Sequence, residues 1–191
     1  MRTALLALSL IAAPALAQAP AVPAGTYTVD TGHTQVLFTV SHFGVSIYTG
    51  QFTQPTGSLT LDPAHPDNDK VEVTFPIASV ATTVPALNAH LQKPEFFDAA
   101  QFPEGKFVST KVTVKGTSAT IAGNLTLKGV TKPVVLEGHF VGSANNPMSK
   151  KLNIGFAATT TIKRSEFGVS YAVPAVSDDV KLTINAAFVA Q

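Results

Sequence analysis

The chain has 191 residues, contains no cysteine and carries a formal net charge of +1 at pH 7. A charge this close to zero excludes long-range electrostatic attraction to nucleic acid or to an anionic membrane as the basis of function. The lack of cysteine excludes disulfides and thiolate chemistry, so the fold must be held by its core alone.

The N-terminus predicts a secretory signal peptide over residues 1–17. Arg2 supplies the positive first region, residues 5–13 form a short apolar core, and Ala15 to Ala17 form a small-residue cleavage site. The apolar run is too short for a transmembrane helix. We therefore expect a periplasmic protein.

The remaining chain predicts one domain behind a short leader. Residues 18–25 are rich in Pro and Ala and are expected to be flexible, and residues 26–191 are long enough to bury a sizeable core. No cysteine follows the signal peptide to carry a lipid. We therefore expect a monomer or homodimer with no permanent membrane anchor and no nucleic-acid partner.

Apolar and polar residues alternate along almost the whole domain, which predicts β-strands. A short strand near residues 26–30 opens the fold. The longer alternating segments are residues 34–42, 50–61, 70–77, 106–114, 118–127, 131–140, 151–164 and 180–188. Short connections between them are typical of antiparallel hairpins. The pattern predicts about eight long strands, which can close into an all-β antiparallel barrel that holds side chains or one ligand.

The apolar row of each strand is predicted to face the barrel interior. Rows with Phe75 and Phe156 supply aromatic rings, and one further row is expected to consist of Val108, Thr110, Val112 and Val114. Small residues expected to leave room for a ligand are Gly123, Gly138, Ala158 and Ala186. A β-sandwich or a fully packed barrel shows the same alternation, so these alternatives stay open.

Residues 83–105 break the alternation. Residues 86–92 predict a short helix that begins after Pro85 and stops at Pro94. Three phenylalanines then follow within seven residues, namely Phe96, Phe97 and Phe102. A long connection with an aromatic cluster is typical of a lid over a binding site, but the same rings could equally plug one end of the barrel.

His42 ends the apolar row formed by Val36, Phe38 and Val40, which predicts that it lies at the inner edge of a barrel opening. Gly44 lets the chain bend away two residues later. A neutral imidazole has one donor and one acceptor, so His42 could bind the carbonyl or phosphate of a ligand head group. Alternatively, it caps the strand by bonding to a neighbouring backbone group.

Arg164 is the only arginine after the signal peptide. Its guanidinium could bind a carboxylate or phosphate bidentately. It could equally pair with Glu166, Asp98 or Asp30 and fix the loop. His33 lies in a turn, where we expect it to make a structural hydrogen bond.

No motif in the sequence points to catalysis or to a metal. The five histidines, His33, His42, His65, His90 and His139, lack the close spacing of a zinc site. There is no nucleophile elbow, no phosphate-binding glycine loop and no dinucleotide-binding motif. We therefore expect a protein that is not an enzyme and has no catalytic residue, no metal and no cofactor.

Four segments together resemble the YceI-like family. They read YTVDTGHTQVLFTVSHFGVSIYTGQF (27–52), HLQKPEFFDAAQFPEGKFVST (90–110), GNLTLKGVTKPVVL (123–136) and TTTIKRSEFGV (159–169). The resemblance implies a lipocalin-like, extended eight-stranded barrel that binds polyisoprenoid or other long amphiphilic chains in its lumen, usually in the periplasm and without enzymatic activity. One departure is Thr34, where the family usually has Ser, although Thr keeps the hydroxyl.

These features predict a carrier that holds a long isoprenoid lipid, of polyprenyl or quinone type, in an apolar lumen. The residues expected to contact this ligand are Phe38, Val40, His42, Phe43, Phe52, Phe75, Phe96, Phe97, Phe102, Phe156, Arg164 and Phe167. Two other functions stay open: an interaction module with a packed core, and an accessory to a quinone-linked membrane redox protein.

Overall fold

The computed structural model describes residues 22–191. The predicted signal peptide, residues 1–17, lies outside the described residues, and so does the first half of the predicted leader. No helix within residues 22–191 has the length and apolar character needed to cross a bilayer.

Eleven β-strands and one α-helix make up the described chain. The strands are β1 (Gly25–Val29), β2 (Gln35–His42), β3 (Ser46–Phe52), β4 (Thr56–Leu61), β5 (Lys70–Pro76), β6 (Val80–Ala81), β7 (Glu104–Lys115), β8 (Ser118–Leu127), β9 (Val130–Asn145), β10 (Leu152–Lys163) and β11 (Asp179–Ala190). The helix α1 (Pro85–Leu91) follows β6 and confirms the predicted short helix.

The strands form one antiparallel sheet that closes on itself, because β1 pairs with both β4 and β11. β1 and β2 pair in succession along β11, where Val29 lies opposite Phe188 and Gln35 lies opposite Asn185. β1 and β2 are therefore two halves of one long barrel strand. In the same way, β3 and β4 are two halves of the next barrel strand, which pairs with the first as a hairpin. Counted so, the chain is a closed eight-stranded antiparallel barrel, which confirms the predicted fold.

A side chain bridges the break between β1 and β2. The hydroxyl of buried Thr34 donates a hydrogen bond to the carbonyl oxygen of Ala187 (3.1 Å) and accepts one from the Ala187 N–H (3.0 Å). The Ala187 carbonyl oxygen also accepts a hydrogen bond from the Asp30 N–H (2.8 Å), so the Thr34 hydroxyl adds to the backbone pairing there and serves as acceptor for the Ala187 N–H. Next to it, His33 makes the structural hydrogen bond expected from the sequence, with Nδ1 2.8 Å from a carboxylate oxygen of Asp30.

A bulge in β7 overturns one predicted row. The β7–β8 register shifts at Thr110, which is exposed. Phe107 and Val112 are buried, and both face the interior. The predicted common face of Val108, Thr110, Val112 and Val114 is therefore wrong, because side-chain alternation holds only while the register is unbroken.

The barrel has two ends with different loops. One end, called the rim end, carries the β2–β3 turn, α1 and residues 164–178. The opposite end, called the far end, carries residues 62–69, 116–117 and 146–151. β10 runs from the far end to the rim end, and its 12 residues span about 40 Å at roughly 3.3 Å per residue.

Candidate ligand cavity

An apolar cavity of about 840 Å³ occupies the barrel interior. The inward-facing rows of the strands form its walls, including Phe75, Leu136, Phe156 and Leu182. Small-molecule sites typically measure about 300–1,000 Å³, so the cavity is large enough for a ligand. The interior is therefore hollow, and the alternative of a fully packed barrel core is wrong.

Eleven of the twelve residues expected to contact a ligand line this cavity. They are Phe38, Val40, His42, Phe43, Phe52, Phe75, Phe96, Phe97, Phe156, Arg164 and Phe167. Phe102 is the exception, because its ring packs against Gly129 in the β8–β9 turn. A turn closed by the Phe102 N–H and the Asp98 carbonyl oxygen (2.8 Å) directs the chain there, in a segment where strand alternation gives no guidance.

Two of the lumen rings lie over glycines of the neighbouring strand. Phe38 is the cross-strand partner of Gly50, and Phe75 is the partner of Gly105. In both pairs a Cβ on the glycine would overlap the aromatic ring. The glycines therefore leave recesses in the barrel wall that take up the rings, so that the rings do not need to project across the lumen.

The same arrangement corrects a prediction about Gly123. Its position is covered by the ring of Phe107, which would overlap a Cβ there, so Gly123 leaves no room for a ligand. Ala158 and Ala186 line the cavity, and their small side chains do keep space in the lumen.

His42 is half-buried and lines the cavity at the rim end. Within residues 22–191 its imidazole makes no hydrogen bond to protein, and its ring contacts that of Phe43 edge-on, with centroids 4.2 Å apart. The end of β2 is held instead by backbone pairing between His42 and Val176. The imidazole therefore does not cap the strand, and its nitrogens can serve a ligand.

Arg164 is buried, and its guanidinium donates four hydrogen bonds to backbone carbonyl oxygens at 2.8 to 2.9 Å. The acceptors belong to Val169, Tyr171, Val176 and Ser177. Arg164 thus braces the loop that forms one side of the rim end.

The carboxylate partners expected for Arg164 are not found. In the described part of the chain none of Glu166, Asp98 and Asp30 forms an ion pair with it. Burial lowers the pKa of Arg164, and the charge of Asp178 partly opposes this shift. A cationic group that lacks a contacting anion therefore lies at the cavity wall.

Residues 85–97 cover part of the rim end. The ring of Phe97 contacts that of Phe52, with centroids 5.5 Å apart, and Phe96 contacts Tyr171 at 5.1 Å. Two of the three phenylalanines in the predicted aromatic cluster therefore pack at the cavity opening.

Lys128 ties this covering segment to the opposite loop. Its ammonium group donates hydrogen bonds to the carbonyl oxygens of Pro94 (2.7 Å) and Gly168 (3.0 Å). The β8–β9 turn that carries Lys128 thus connects the two sides of the rim end.

Sequence reasoning missed several polar lining residues, and Tyr48 and Asp69 are two of them. Tyr48 is the cross-strand partner of Val40, and since opposed residues share a face, the pairing of β2 with β3 could have revealed it. Asp69 lies in the loop before β5, where no pattern marks it. It is buried, it accepts a hydrogen bond from the Asp62 N–H (2.7 Å), and burial raises its pKa.

The polar lining is confined to the two ends of the cavity. Asp69 and Ser118 lie towards the far end, and His42, Tyr48 and Arg164 lie towards the rim end. In the range 22–191 no three His, Cys, Asp or Glu side chains come together in a way that could hold a metal ion.

A closed eight-stranded barrel with a hollow apolar interior defines a lipocalin-like class of protein. The chain belongs to the YceI-like family, whose domain matches residues 27–188. The resemblance identified from the sequence is therefore confirmed.

Known proteins similar to this chain span most of its length. The UPF0312 protein of Pseudomonas fluorescens is 38% identical over 172 residues, which cover 86% of each chain. The structure of Burkholderia cenocepacia BcnA matches with a TM-score of 0.74 at 22% identity, over 83% of this chain and 98% of BcnA. A polyisoprenoid binding domain from Saccharophagus degradans, implicated in plant cell wall breakdown, matches with a TM-score of 0.67 at 13% identity, over 86% of this chain and 98% of that domain. At these identities, the two structures show a shared fold.

Proposed function

We propose that this protein is a periplasmic carrier that binds one long amphiphilic isoprenoid lipid, of polyprenyl or quinone type, in its barrel lumen. The observation that carries the proposal is the apolar cavity of about 840 Å³ with its polar lining at the two ends. A cavity of this kind suits a ligand with a long apolar tail and a polar head.

The energetics favour such a ligand. Each CH₂ group transferred from water into an apolar site contributes about 0.8 kcal/mol. A long tail therefore binds tightly through many small contributions, without directional contacts along the wall. The polar head, in contrast, costs a few kcal/mol if it is buried without a partner. Head groups are therefore expected to stop at an end of the cavity, where polar side chains lie.

Two further observations support the ligand class and the location. The domain from Saccharophagus degradans that shares this fold is described as polyisoprenoid binding. The signal peptide predicted for residues 1–17 supports export to the periplasm.

The sequence carries no catalytic motif, which supports binding rather than an enzymatic reaction. An accessory of a quinone-linked redox protein would use the same lumen and would differ only in needing a protein partner.

Extraction of the protein tests this proposal directly. Protein purified from its host without ligand removal should yield a prenyl lipid in about stoichiometric amount when extracted with organic solvent and measured by mass spectrometry. Ala158→Phe places a ring in the lumen and should lose the lipid. Thr159→Phe places the same ring on the exposed outer face and should keep it.

Circular dichroism establishes that both variants are folded. If Ala158→Phe fails to fold, Ala186→Leu fills the same lumen with a smaller addition. Wild-type protein that carries no lipid from its host, and that does not bind an added prenyl alcohol, would refute the carrier function.

A further inference from the structure

The segments that build the rim end contain very few charges. The sequence has no Asp, Glu, Lys or Arg between Asp30 and Asp62, and none between Glu166 and Asp178. The first stretch contains the β2–β3 hairpin, and the second contains the loop braced by Arg164. Charged residues are mostly found on the exposed surface of folded proteins, so two exposed segments without any charge at the same end of the barrel call for an explanation.

Large apolar side chains are exposed on these segments. Phe43 is 61% exposed, Val45 85% and Ile47 72%, all on the β2–β3 hairpin, and Tyr171 is 50% exposed on the neighbouring loop. Backbone hydrogen bonds join the two segments, from the Phe43 N–H to the Ala175 carbonyl oxygen (2.7 Å) and from the Ser177 N–H to the Ser41 carbonyl oxygen (2.9 Å). We call the surface formed by Phe43, Val45, Ile47, Tyr171, Ala172, Pro174 and Ala175 the apolar rim.

The backbone of Phe43 adds a second cost to its exposure. Phe43 has a φ of 54°, in the left-handed region that bulky side chains rarely adopt, and it precedes Gly44, which has a φ of 67°. Asn or Gly would fit this tight turn with less strain and would be better solvated. An exposed aromatic side chain on a strained backbone at a hairpin tip indicates that Phe43 contacts something other than its own domain.

The apolar rim is continuous with the lumen. Phe43, Tyr171 and Ala172 lie on the exposed surface and also line the cavity, and His42 and Val176 lie directly behind them. An apolar chain that passes over the rim therefore meets the apolar side chains of the rim before it reaches the polar residues at the mouth of the lumen.

The far end of the barrel shows the opposite character. Its loop 146–151 exposes Met148 (91%), but two lysines, Lys150 and Lys151, follow directly, and the loop 62–69 carries three aspartates. At the rim end, the charges nearest the opening lie on the covering segment, at Lys93 and Glu95, on Lys128, and on buried Arg164, whose guanidinium binds backbone carbonyl oxygens. Within residues 22–191, only this surface of the barrel combines exposed apolar side chains, residues without charge and contact with the cavity.

We propose that the apolar rim docks on the surface of a lipid bilayer, and that the lumen is loaded there. Aromatic and aliphatic side chains insert at the boundary between head groups and acyl chains, which removes them from water. Because the rim carries no Lys or Arg, docking depends on apolar insertion and not on anionic lipids. The inference rests on the proposed carrier function, since continuity with the lumen favours a bilayer over a protein partner.

Co-sedimentation with phosphatidylcholine vesicles tests docking. Wild-type protein should bind equally well at low and high salt, and Val45→Ser/Ile47→Ser should lower the partition coefficient at least about tenfold, which corresponds to about 1.4 kcal/mol. Met148→Ser removes an equally exposed apolar side chain at the far end and should bind like wild type. Equal binding of all three proteins, or no binding of the wild type, would overturn the proposal.

The lack of tryptophan in the chain allows a second measurement. Phe43→Trp creates a single fluorescent reporter on the rim, and Met148→Trp creates the matched reporter at the far end. Phosphatidylcholine vesicles should shift the emission of the rim reporter to shorter wavelength and leave the far-end reporter unchanged. Light scattering without vesicles tests the main competing occupant, a second copy of this chain. A wild-type dimer that Val45→Ser/Ile47→Ser converts to a monomer would assign the rim to that second copy and overturn the proposal.

Transfer from vesicles that contain a polyprenol separates this inference from the carrier function. If both hold, Val45→Ser/Ile47→Ser, which leaves every residue that lines the cavity unchanged, should take up polyprenol at least about tenfold more slowly than wild type, in line with its weaker docking, yet bind it equally well from detergent solution. Uptake at the wild-type rate would refute docking and leave the carrier function intact. Failure of both proteins to bind polyprenol from detergent would refute the carrier function, whatever the vesicle assay shows.

Discussion

The ring of Phe75 occupies the space that a Cβ would take on Gly105, its cross-strand partner between β5 and β7. Both positions are buried, and Leu127 also lies next to the same space. The pair therefore fixes how far the ring extends into the lumen, since the recess exists only while residue 105 has no side chain.

Gly105→Ala is expected to destabilise the barrel by about 1–3 kcal/mol, because it forces a ring out of a filled space. Gly138→Ala is the control, since a Cβ at Gly138 would make ordinary contacts at 3.5 Å with Ala158 and Ile121. Urea unfolding midpoints measure both. Equal losses in the two variants would show that the recess is not specific to Phe75.

Thr34→Val should cost about 1–3 kcal/mol, because it keeps the shape of the side chain and leaves the N–H and carbonyl of Ala187 without the hydroxyl partner. Thr34→Ser keeps the hydroxyl and should stay closer to wild type. Thermal unfolding with circular dichroism distinguishes the two. A Val variant as stable as the Ser variant would contradict the bridging role of the Thr34 hydroxyl.

Arg164→Lys should destabilise the protein by more than about 2 kcal/mol, because one ammonium group cannot reach four separate carbonyl oxygens and buried acceptors are left unpaired. Hydrogen exchange of residues 169–177 should accelerate in this variant. Lys163→Ala, which breaks the exposed ion pair with Asp179, is the control and should change little. Unchanged exchange in Arg164→Lys would mean that the loop is held by other contacts.

His42→Phe should change head-group selectivity and leave tail affinity mostly intact, since the imidazole has no protein hydrogen bond within the described chain. A lost hydrogen bond to a neutral head group is worth roughly 0.5–1.5 kcal/mol, and more if the head is charged. The measurement is a titration with a prenyl alcohol, a prenyl phosphate and a quinone of equal tail length. If all three affinities shift by the same factor, or none shifts, His42 does not contact the head group.

Asp69→Asn should alter the pH dependence of stability. Burial raises the pKa of this carboxyl in the folded protein, so the native state holds the proton more tightly than the unfolded chain. The free energy of unfolding therefore falls as the pH rises from the ordinary carboxyl pKa through the raised native value. The Asn variant lacks this fall. Its free energy of unfolding, measured with urea at a series of pH values, should therefore increase relative to that of the wild type as the pH rises through this range. A constant difference between the two proteins would contradict the raised pKa.

The fold could be predicted because strand alternation is a local property of the sequence. The row of alternate residues from Val180 to Phe188 in β11 continues without interruption, and the position of one residue in such a row predicts which face the others share. The bulge at Thr110 could not be predicted, because it depends on how β7 pairs with β8 and shifts the alternation between Phe107 and Val112. The recess between Phe75 and Gly105 depends in the same way on register, which sequence patterns do not contain.

Most residues that line the cavity could be predicted, on strands and on loops such as those with Phe43 and Phe96, but the contacts made by loop residues could not. Phe102 and Arg164 show the difference, since the first packs on a turn and the second binds backbone carbonyls instead of the expected carboxylates. Carbonyl acceptors occur at every residue and leave no sequence signal. Asp69 was missed for a related reason, because nothing in a loop sequence marks which carboxylate will be buried.

The confinement of polar lining to the two ends has a consequence for selectivity. A chain in the middle of the lumen meets only apolar walls, so no position along the barrel axis is preferred over the next. Its placement is decided where it meets Asp69 at one end and His42 at the other. For the proposed carrier, this arrangement predicts selection by tail length: a short tail leaves part of the lumen unfilled, and a long tail protrudes across the β2–β3 hairpin. Such selection depends on the length of the lipid tail and not on the order of the chemical groups along it.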